Sequence, residues 1–267
     1  MQRERFDLAV QLHGSGLYAN PFVLMLGARH TAGFVRTGDP PGLLDAALPL
    51  PSTGHEIERL LALTSSLGAP PVASSLEFPL TPSDRDHALR LLASAPGPLI
   101  GVHASSREPL RRWPEERFSD VAAALLARTG GTIALIGDTE ASGVNRRLAL
   151  ALGAPALDLT GRTSLPVLGA VIEALGLLIT NDSGPAHIAY SLGVPTVVIT
   201  TPVPAARYGP LRPGPFQQVI APCPGHDPSV NDCDHLHLVE VPEVLEAALQ
   251  LLAGLAKDTP RRLQCVS

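Results

Sequence analysis

The sequence predicts an α/β chain whose parallel β-sheets are covered by helices, with a doubly wound domain in its second half. Two patterns carry this expectation. Leu99-Ile-Gly-Val-His103, Thr132-Ile-Ala-Leu-Ile-Gly137, Leu177-Leu-Ile-Thr180 and Thr196-Val-Val-Ile-Thr200 are short, nearly all-apolar runs, as strands buried on both faces must be. Between them lie stretches with apolar residues at helical spacing, and repeated strand–helix–strand units close into a parallel sheet through right-handed crossovers.

In order along the chain, Phe6 to His13 reads as a strand ending at Gly14-Ser-Gly, Asn20 to Leu26 as a helix with Pro21 in its first turn, and Gly33-Phe-Val-Arg as a second strand. Proline and glycine between Thr37 and Pro51 argue against regular structure there. His55 to Leu67 carries Ile57, Leu60, Leu61, Leu63 and Leu67 near helical spacing, with Gly68 placed to end the helix. Ala69 to Pro82 reads as linker, followed by a helix from an N-cap at Ser83 to Ala93. Pro96-Gly-Pro is the expected hinge, giving domains at 1–95 and 96–257 and a tail at 258–267. Further helices are expected at Pro114 to Arg128, Asn145 to Leu152, Leu165 to Leu175 and Gly184 to Leu192, with a short strand at 156–159. Beyond Thr200 the pattern assigns nothing.

At 267 residues, with 45% hydrophobic and 17% charged side chains, the chain is long enough for a substantial core and too apolar to be disordered. A net charge of −5 argues against a nucleic-acid binder, which needs a basic face to meet phosphates. Lys257 is the single lysine among 20 basic residues, so anion recognition falls to arginine and helix N-termini. The first residues lack an apolar signal core and no run approaches a membrane span, so a cytoplasmic protein is expected. Cys223-x2-His226 and Cys233-x-His235-x-His237 hold enough soft ligands for zinc, but the irregular spacing favours a plain loop with free thiols.

Two loops look chemical. Asn181-Asp-Ser-Gly-Pro-Ala-His187 follows a buried strand and opens a helix: Ser183 is placed to cap it, Gly184 lets a ligand approach the backbone, and the N-terminal N–H groups attract an anion. Asp182 stands at the strand tip, and His187, one turn into the helix, is expected to face the same ligand. His103-Ala-Ser-Ser-Arg-Glu-Pro-Leu-Arg-Arg-Trp-Pro114 puts Arg107, Arg111 and Arg112 at another strand end of the same sheet. Arginine forks there can grip a diphosphate. Both loops end parallel strands of one sheet, so they converge on one phosphorylated ligand.

These two loops, Gly161-Arg-Thr-Ser-Leu before a helix, and the block Asn181-Asp-Ser-Gly-Pro-Ala-His-Ile-Ala with Gly193-Val-Pro-Thr-Val together resemble glycosyltransferase family 9, the ADP-heptose:lipopolysaccharide heptosyltransferases. The likeness runs over about residues 6 to 252. It implies a GT-B architecture of two Rossmann-like domains, with the nucleotide-sugar donor in the C-terminal one and a lipid-linked saccharide acceptor in the N-terminal one. Asp182, Ser183, Gly184 and His187 would then hold the donor's sugar and diphosphate. Arg111 would stand where the family often has a lysine, Arg112 beside it, and Glu140 would take the nucleotide ribose. The implied reaction is inverting transfer of a heptose-like sugar to the lipopolysaccharide core, without a cofactor or metal, at the inner face of the cytoplasmic membrane. The sequence departs from the family in lacking the usual first strand, Gly-Asp loop and helix, whose aspartate is the implied base. Gln11 occupies a strand position where the family often has an acid. The N-terminal domain is therefore expected to be incomplete, through a start downstream of the usual one or in an inactive paralogue. Asp7 and His13 are the substitute bases on offer; Asp7 sits at the wrong end of its strand, which leaves His13. Two alternative readings are a nucleotide-sugar-binding paralogue that has lost its base, and another GT-B enzyme such as a nucleotide-sugar epimerase.

Overall fold

A computed structural model describes residues 2–40, 42–153, 156–223 and 235–258. The chain divides into two compact units, Met1–Ser74 with Ala206–Tyr208, and Ser75–Ala205 with Gly209–Ser267. The first holds a three-stranded parallel sheet in the order β1 (Leu8–Gln11), β2 (His30–Val35), β3 (Ala46–Pro49), with helices α1 (Ala19–Met25) and α2 (Glu56–Ser66). The strand β3 lies in the stretch where proline and glycine spoke against one. It is a short edge strand with Pro49 at its end, a place where a missing N–H costs no ladder bond. Gln11 is buried: its side-chain carbonyl accepts from Phe34 N–H at 3.2 Å and its amide donates to His13 O. A carboxylate could make the first bond and not the second, so glutamine is the residue this strand end uses.

The second unit contains α3 (Pro82–Leu92), β4 (Leu99–His103), α4 (Glu115–Thr129), β5 (Thr132–Leu135), α5 (Ser142–Leu152), β6 (Ala156–Asp158) and α6 (Leu165–Glu173). After them come β7 (Leu177–Asn181), α7 (Gly184–Leu192), β8 (Thr196–Thr200), β9 (Phe216–Ile220) and α9 (Val241–Asp258), while α8 (Pro202–Tyr208) straddles the division between the units. Its six parallel strands run β6-β5-β4-β7-β8-β9, the order of a doubly wound nucleotide-binding sheet, with the order in which strands are added reversing between the neighbours β4 and β7. Strand alternation feeds two cores. Ile100, Val102, Ile133, Leu135, Leu177 and Ile179 pack under α4 and α9, while Ala134, Ile136 and Leu178 pack under α3, α6 and α7.

Helix α3 belongs to this second core through Ala88 and Leu92. Ahead of it, Phe78 fills the space over Gly169, where a β-carbon would lie 2.2 Å from the ring. The second unit consequently begins at Ser75, ahead of the Pro96-Gly-Pro turn expected as a hinge. That turn is tied to the start of β5 by Thr132 N–H to Pro98 O at 2.9 Å and Thr132 Oγ1 to Pro96 O at 2.8 Å. The N-cap of α3 is Thr81, in a reciprocal capping box with Asp84, two residues before the expected Ser83. The expected tail, 258–267, lies outside the described residues apart from Asp258, the last residue of α9. Among the described residues no helix is long and apolar enough to cross a membrane.

Candidate functional site

A cleft of about 680 Å³ opens beyond the carboxyl ends of β4, β5 and β7 and is lined wholly by the second unit. It occupies the switch point of the sheet, where loops leaving adjacent strands splay apart.

One wall is the loop from Ala104 to Trp113. Trp113 is buried, edge-on to Phe118 at 5.0 Å, and its indole N–H donates to Val239 O at 2.9 Å. Asn181, at the end of β7, joins both ends of this loop. Its side-chain oxygen accepts from Trp113 N–H at 3.0 Å and its amide donates to Ala104 O at 3.0 Å. This fully buried asparagine fixes the frame from which the arginines project, a role the sequence reading did not give it.

Within the frame, Arg111 Nη1 lies 3.3 Å from Asp182 Oδ2. The Asp182 side chain is 8% exposed against 30% for Arg111, so the guanidinium is the wetter partner. Burial pushes the Asp182 carboxyl above its usual range, more than His187 and Arg111 pull it back. Above that raised midpoint the ionised carboxylate costs folding stability in full, and the cost fades as pH falls from there to the ordinary aspartate value, below which it is gone. Arg112 lines the cleft, but its Nε donates to Ser106 O at 2.7 Å, which binds it to its own loop.

His103, at the tip of β4, is 7% exposed and sits among hydroxyls: Nδ1 is 3.2 Å from both Thr180 Oγ1 and Ser183 Oγ, and Nε2 is 3.0 Å from Ser105 Oγ. Burial brings its pKa down to about 4, against a weaker opposing pull from Asp138. The unfolded chain therefore binds this proton at a higher pH than the folded one. Stability is full above about pH 6.5 and falls as pH drops toward 4, by roughly 3 kcal/mol from this group. Denaturant melts at stepped pH check this: His103→Asn is expected to flatten the acid limb between pH 6.5 and 4.

Ser183 occupies the N-cap position of α7 without capping it. Its hydroxyl donates back to Asn181 O at 3.1 Å and accepts from no N–H of the first turn, so the expected cap bond is absent. Gly184 follows, and a β-carbon there would meet nothing within 4 Å. Its backbone is helical, so no protein contact demands glycine. Gly184→Ala is expected to hold or raise the melting temperature, since alanine is the better helix former, while weakening an anion bound against that backbone. Paired melting and binding curves on the one variant check it.

Glu140 lines the β5 side of the cleft, in the short turn Thr139–Ala141 whose N–H groups Asp138 caps. Val144, Leu165 and Leu168 supply apolar lining from elements that follow β5 and β6, and Leu165 is exposed. His187 is not among the residues that line the cleft; its ring stands edge-on to Tyr190 at 5.8 Å, and it favours the ionised form of Asp182 electrostatically. His13 is exposed in the first unit, beyond the carboxyl end of β1. Cys223 is disulfide-bonded, which corrects the expectation of free thiols, whereas His226 and Cys233 lie outside the described residues. Among the described residues no group of three or more potential metal ligands forms.

Two Rossmann-like units, the second with a cleft at its switch point, define the chain as an α/β protein of the GT-B class. The crystal structure of the glycosyl transferase family 9 protein from Veillonella parvula superposes on it with a TM-score of 0.79 at 23% identity, over 95% of this chain and 77% of that one. The Escherichia coli ADP-heptose LPS heptosyltransferase II gives 0.72 at 21%, over 97% and 79%. A family model, glycosyltransferase family 9 (heptosyltransferase), matches residues 1–220, and the chain belongs to that family. Lipopolysaccharide heptosyltransferase 2 of Salmonella typhimurium is 28% identical over 170 residues, 59% of this chain. The match spans 46% of that relative's length. An E. coli heptosyltransferase, WaaC, solved with ADP, gives a TM-score of 0.66 at 19% identity, over 94% of this chain and 74% of that one.

Proposed function

We propose that the second unit binds ADP-heptose and that the protein transfers the heptose, with inversion, to a lipid-linked lipopolysaccharide-core acceptor. One observation carries the reading: a guanidinium, an uncapped helix start with no side chain over it, and an apolar lining with a carboxylate share one switch-point cleft. Strand order sorts these groups. The diphosphate belongs over β4 and β7, between Arg111 and the Gly184 backbone. The nucleoside belongs over β5 and β6, the ribose hydroxyls toward Glu140 and the base on Val144, Leu165 and Leu168. Asp182, buried and raised in pKa, suits a hydroxyl of the transferred sugar, and His187 tunes Asp182 electrostatically. Arg112 holds the loop.

In the transfer, an acceptor oxygen attacks the anomeric carbon from the face opposite the diphosphate, the glycosidic bond to phosphate breaks, and the configuration inverts. Negative charge grows on the departing diphosphate, where Arg111 and the α7 terminus stabilise it. The acceptor proton needs a base, for which His13 is the first-unit candidate. The membrane encounter follows from a lipid-linked acceptor. A second reading, donor binding without transfer, draws support from Gln11, whose amide is committed to the backbone at both ends.

The test is the melting temperature of the 267-residue chain with ADP, UDP, GDP and ADP-heptose. A ligand at 100 times its dissociation constant adds about 2.7 kcal/mol. Selective stabilisation by the two adenine compounds is expected, and its absence rejects the donor assignment. Incubation of ADP-heptose with acceptor then separates the readings, since transfer product rules out binding alone.

A further inference from the structure

The first unit leaves one edge of its sheet open. Among the described residues β1 pairs with β2 alone, so the backbone groups on its other side face no strand. No lysine or proline guards that edge between Phe6 and His13. Phe6, Leu8 and Leu12 on and beside β1, with Leu17, Tyr18 and Phe22 at the start of α1, are 41–87% exposed. Together they present about 750 Å² to solvent, more than the largest apolar patch of an ordinary monomer and close to what each partner gives a standard interface.

The edge is also self-complementary. In a two-fold antiparallel pairing opposed side chains share a face, so the axis must pass through a residue and not between two. With Val10 on the axis, Leu8 stands opposite Leu12 on one face, while on the other Ala9 opposes Gln11 and Asp7 opposes His13. An axis at Ala9 would set Asp7 against Gln11, and one at Gln11 would set Leu8 against Gly14, so Val10 is the centre that joins leucine to leucine and acid to base. Helix α1 lies on the Gln11 face over the seam of β1 and β2: Asn20 Nδ2 donates to Phe34 O at 2.9 Å, and a β-carbon on Gly33 would come within 3.2 Å of Asn20 Oδ1. The two seams of such a pair lie two strand spacings apart, about 10 Å, which is the packing distance of two helices.

We propose that the chain pairs with a second copy of itself through β1, antiparallel and with Val10 on the two-fold axis. The two three-stranded sheets become one of six strands, and the two α1 helices pack side by side, bringing Tyr18 and Phe22 against their counterparts. The pairing is independent of the ligand that the second unit binds.

Sedimentation equilibrium of the full chain is expected to show a monomer–dimer equilibrium, half-dissociated in the micromolar range or below. Leu8→Lys, at an exposed site, puts an ammonium on the pairing edge and should weaken the dimer by about tenfold or more. Asp7→Lys and His13→Glu should each weaken it by a smaller factor, and the two together should restore it, a coupling that independent surface sites would not give. Cross-linking reads the register without relying on those variants: Leu8→Cys and Leu12→Cys proteins, told apart by a tag, should bridge to each other under oxidation and neither to itself. A monomer at about 100 µM overturns the proposal, as does a dimer that Leu8→Lys leaves intact, or Leu8→Cys protein bridging to itself through the new thiol. A monomer that instead floats with anionic lipid vesicles gives the face to a membrane and overturns the pairing as well.

Discussion

Arg111→Ala is expected to weaken ADP binding by about one to two orders of magnitude, the range of a charge-assisted hydrogen bond to phosphate. At 30% exposure the guanidinium is partly screened, so the loss should be larger in low salt than in high salt, and calorimetric titration at two ionic strengths reads both quantities. Arg111→Lys should recover part of the affinity, because an ammonium supplies the charge without the fork. The same substitution acts on Asp182. Without Arg111 the buried carboxyl loses one of the two cations that favour its ionised form, so its midpoint rises further and stability near neutral pH drops. Asp182→Asn is expected to do the reverse: it removes a buried ionised group, raises the melting temperature above the carboxyl's midpoint, and still weakens sugar-nucleotide binding. A variant gaining stability while losing ligand marks a group retained for the site instead of the fold.

The largest expected effect on folding is Trp113→Ala, at about 3–5 kcal/mol and on the order of 10 °C in melting temperature. Trp113 is the chain's single tryptophan, packs edge-on to Phe118, and is 1% exposed, so truncation opens a cavity that rigid strands cannot collapse into. It also leaves Val239 O without the indole donor. Trp113→Phe should cost less, keeping most of the apolar contact while giving up that hydrogen bond. Circular dichroism is the readout, since the substitution removes the intrinsic fluorophore. If Trp113 anchors the arginine loop as the Asn181 bridge indicates, Trp113→Phe should also retain nucleotide affinity better than Trp113→Ala.

The doubly wound half was legible because its strands are covered on both faces and so read as unbroken apolar runs, while Gly130 and Gly193 end their helices in left-handed geometry. That Asp182, Arg111 and Gly184 share one cleft was legible for a related reason: a strand end followed by a helix start is a local signal, and such ends of one parallel sheet lie side by side. Short edge strand β3 was not, since proline speaks against a strand locally, whereas an edge tolerates it. Nor were β9 and α9 read from the proline-rich stretch beyond Thr200. Family resemblance and the alternation of strand and helix come from residues within a few positions of one another, and the chain carries them in plain view. Strand order, the membership of α3 in the second unit, the Asn181 bridge between residues 104 and 113, the uncapped start of α7 and the hydroxyls gathered around His103 depend on groups up to about eighty positions apart. A hydrogen bond or a buried contact depends on distance in space, and only folding brings Ser183 within reach of His103.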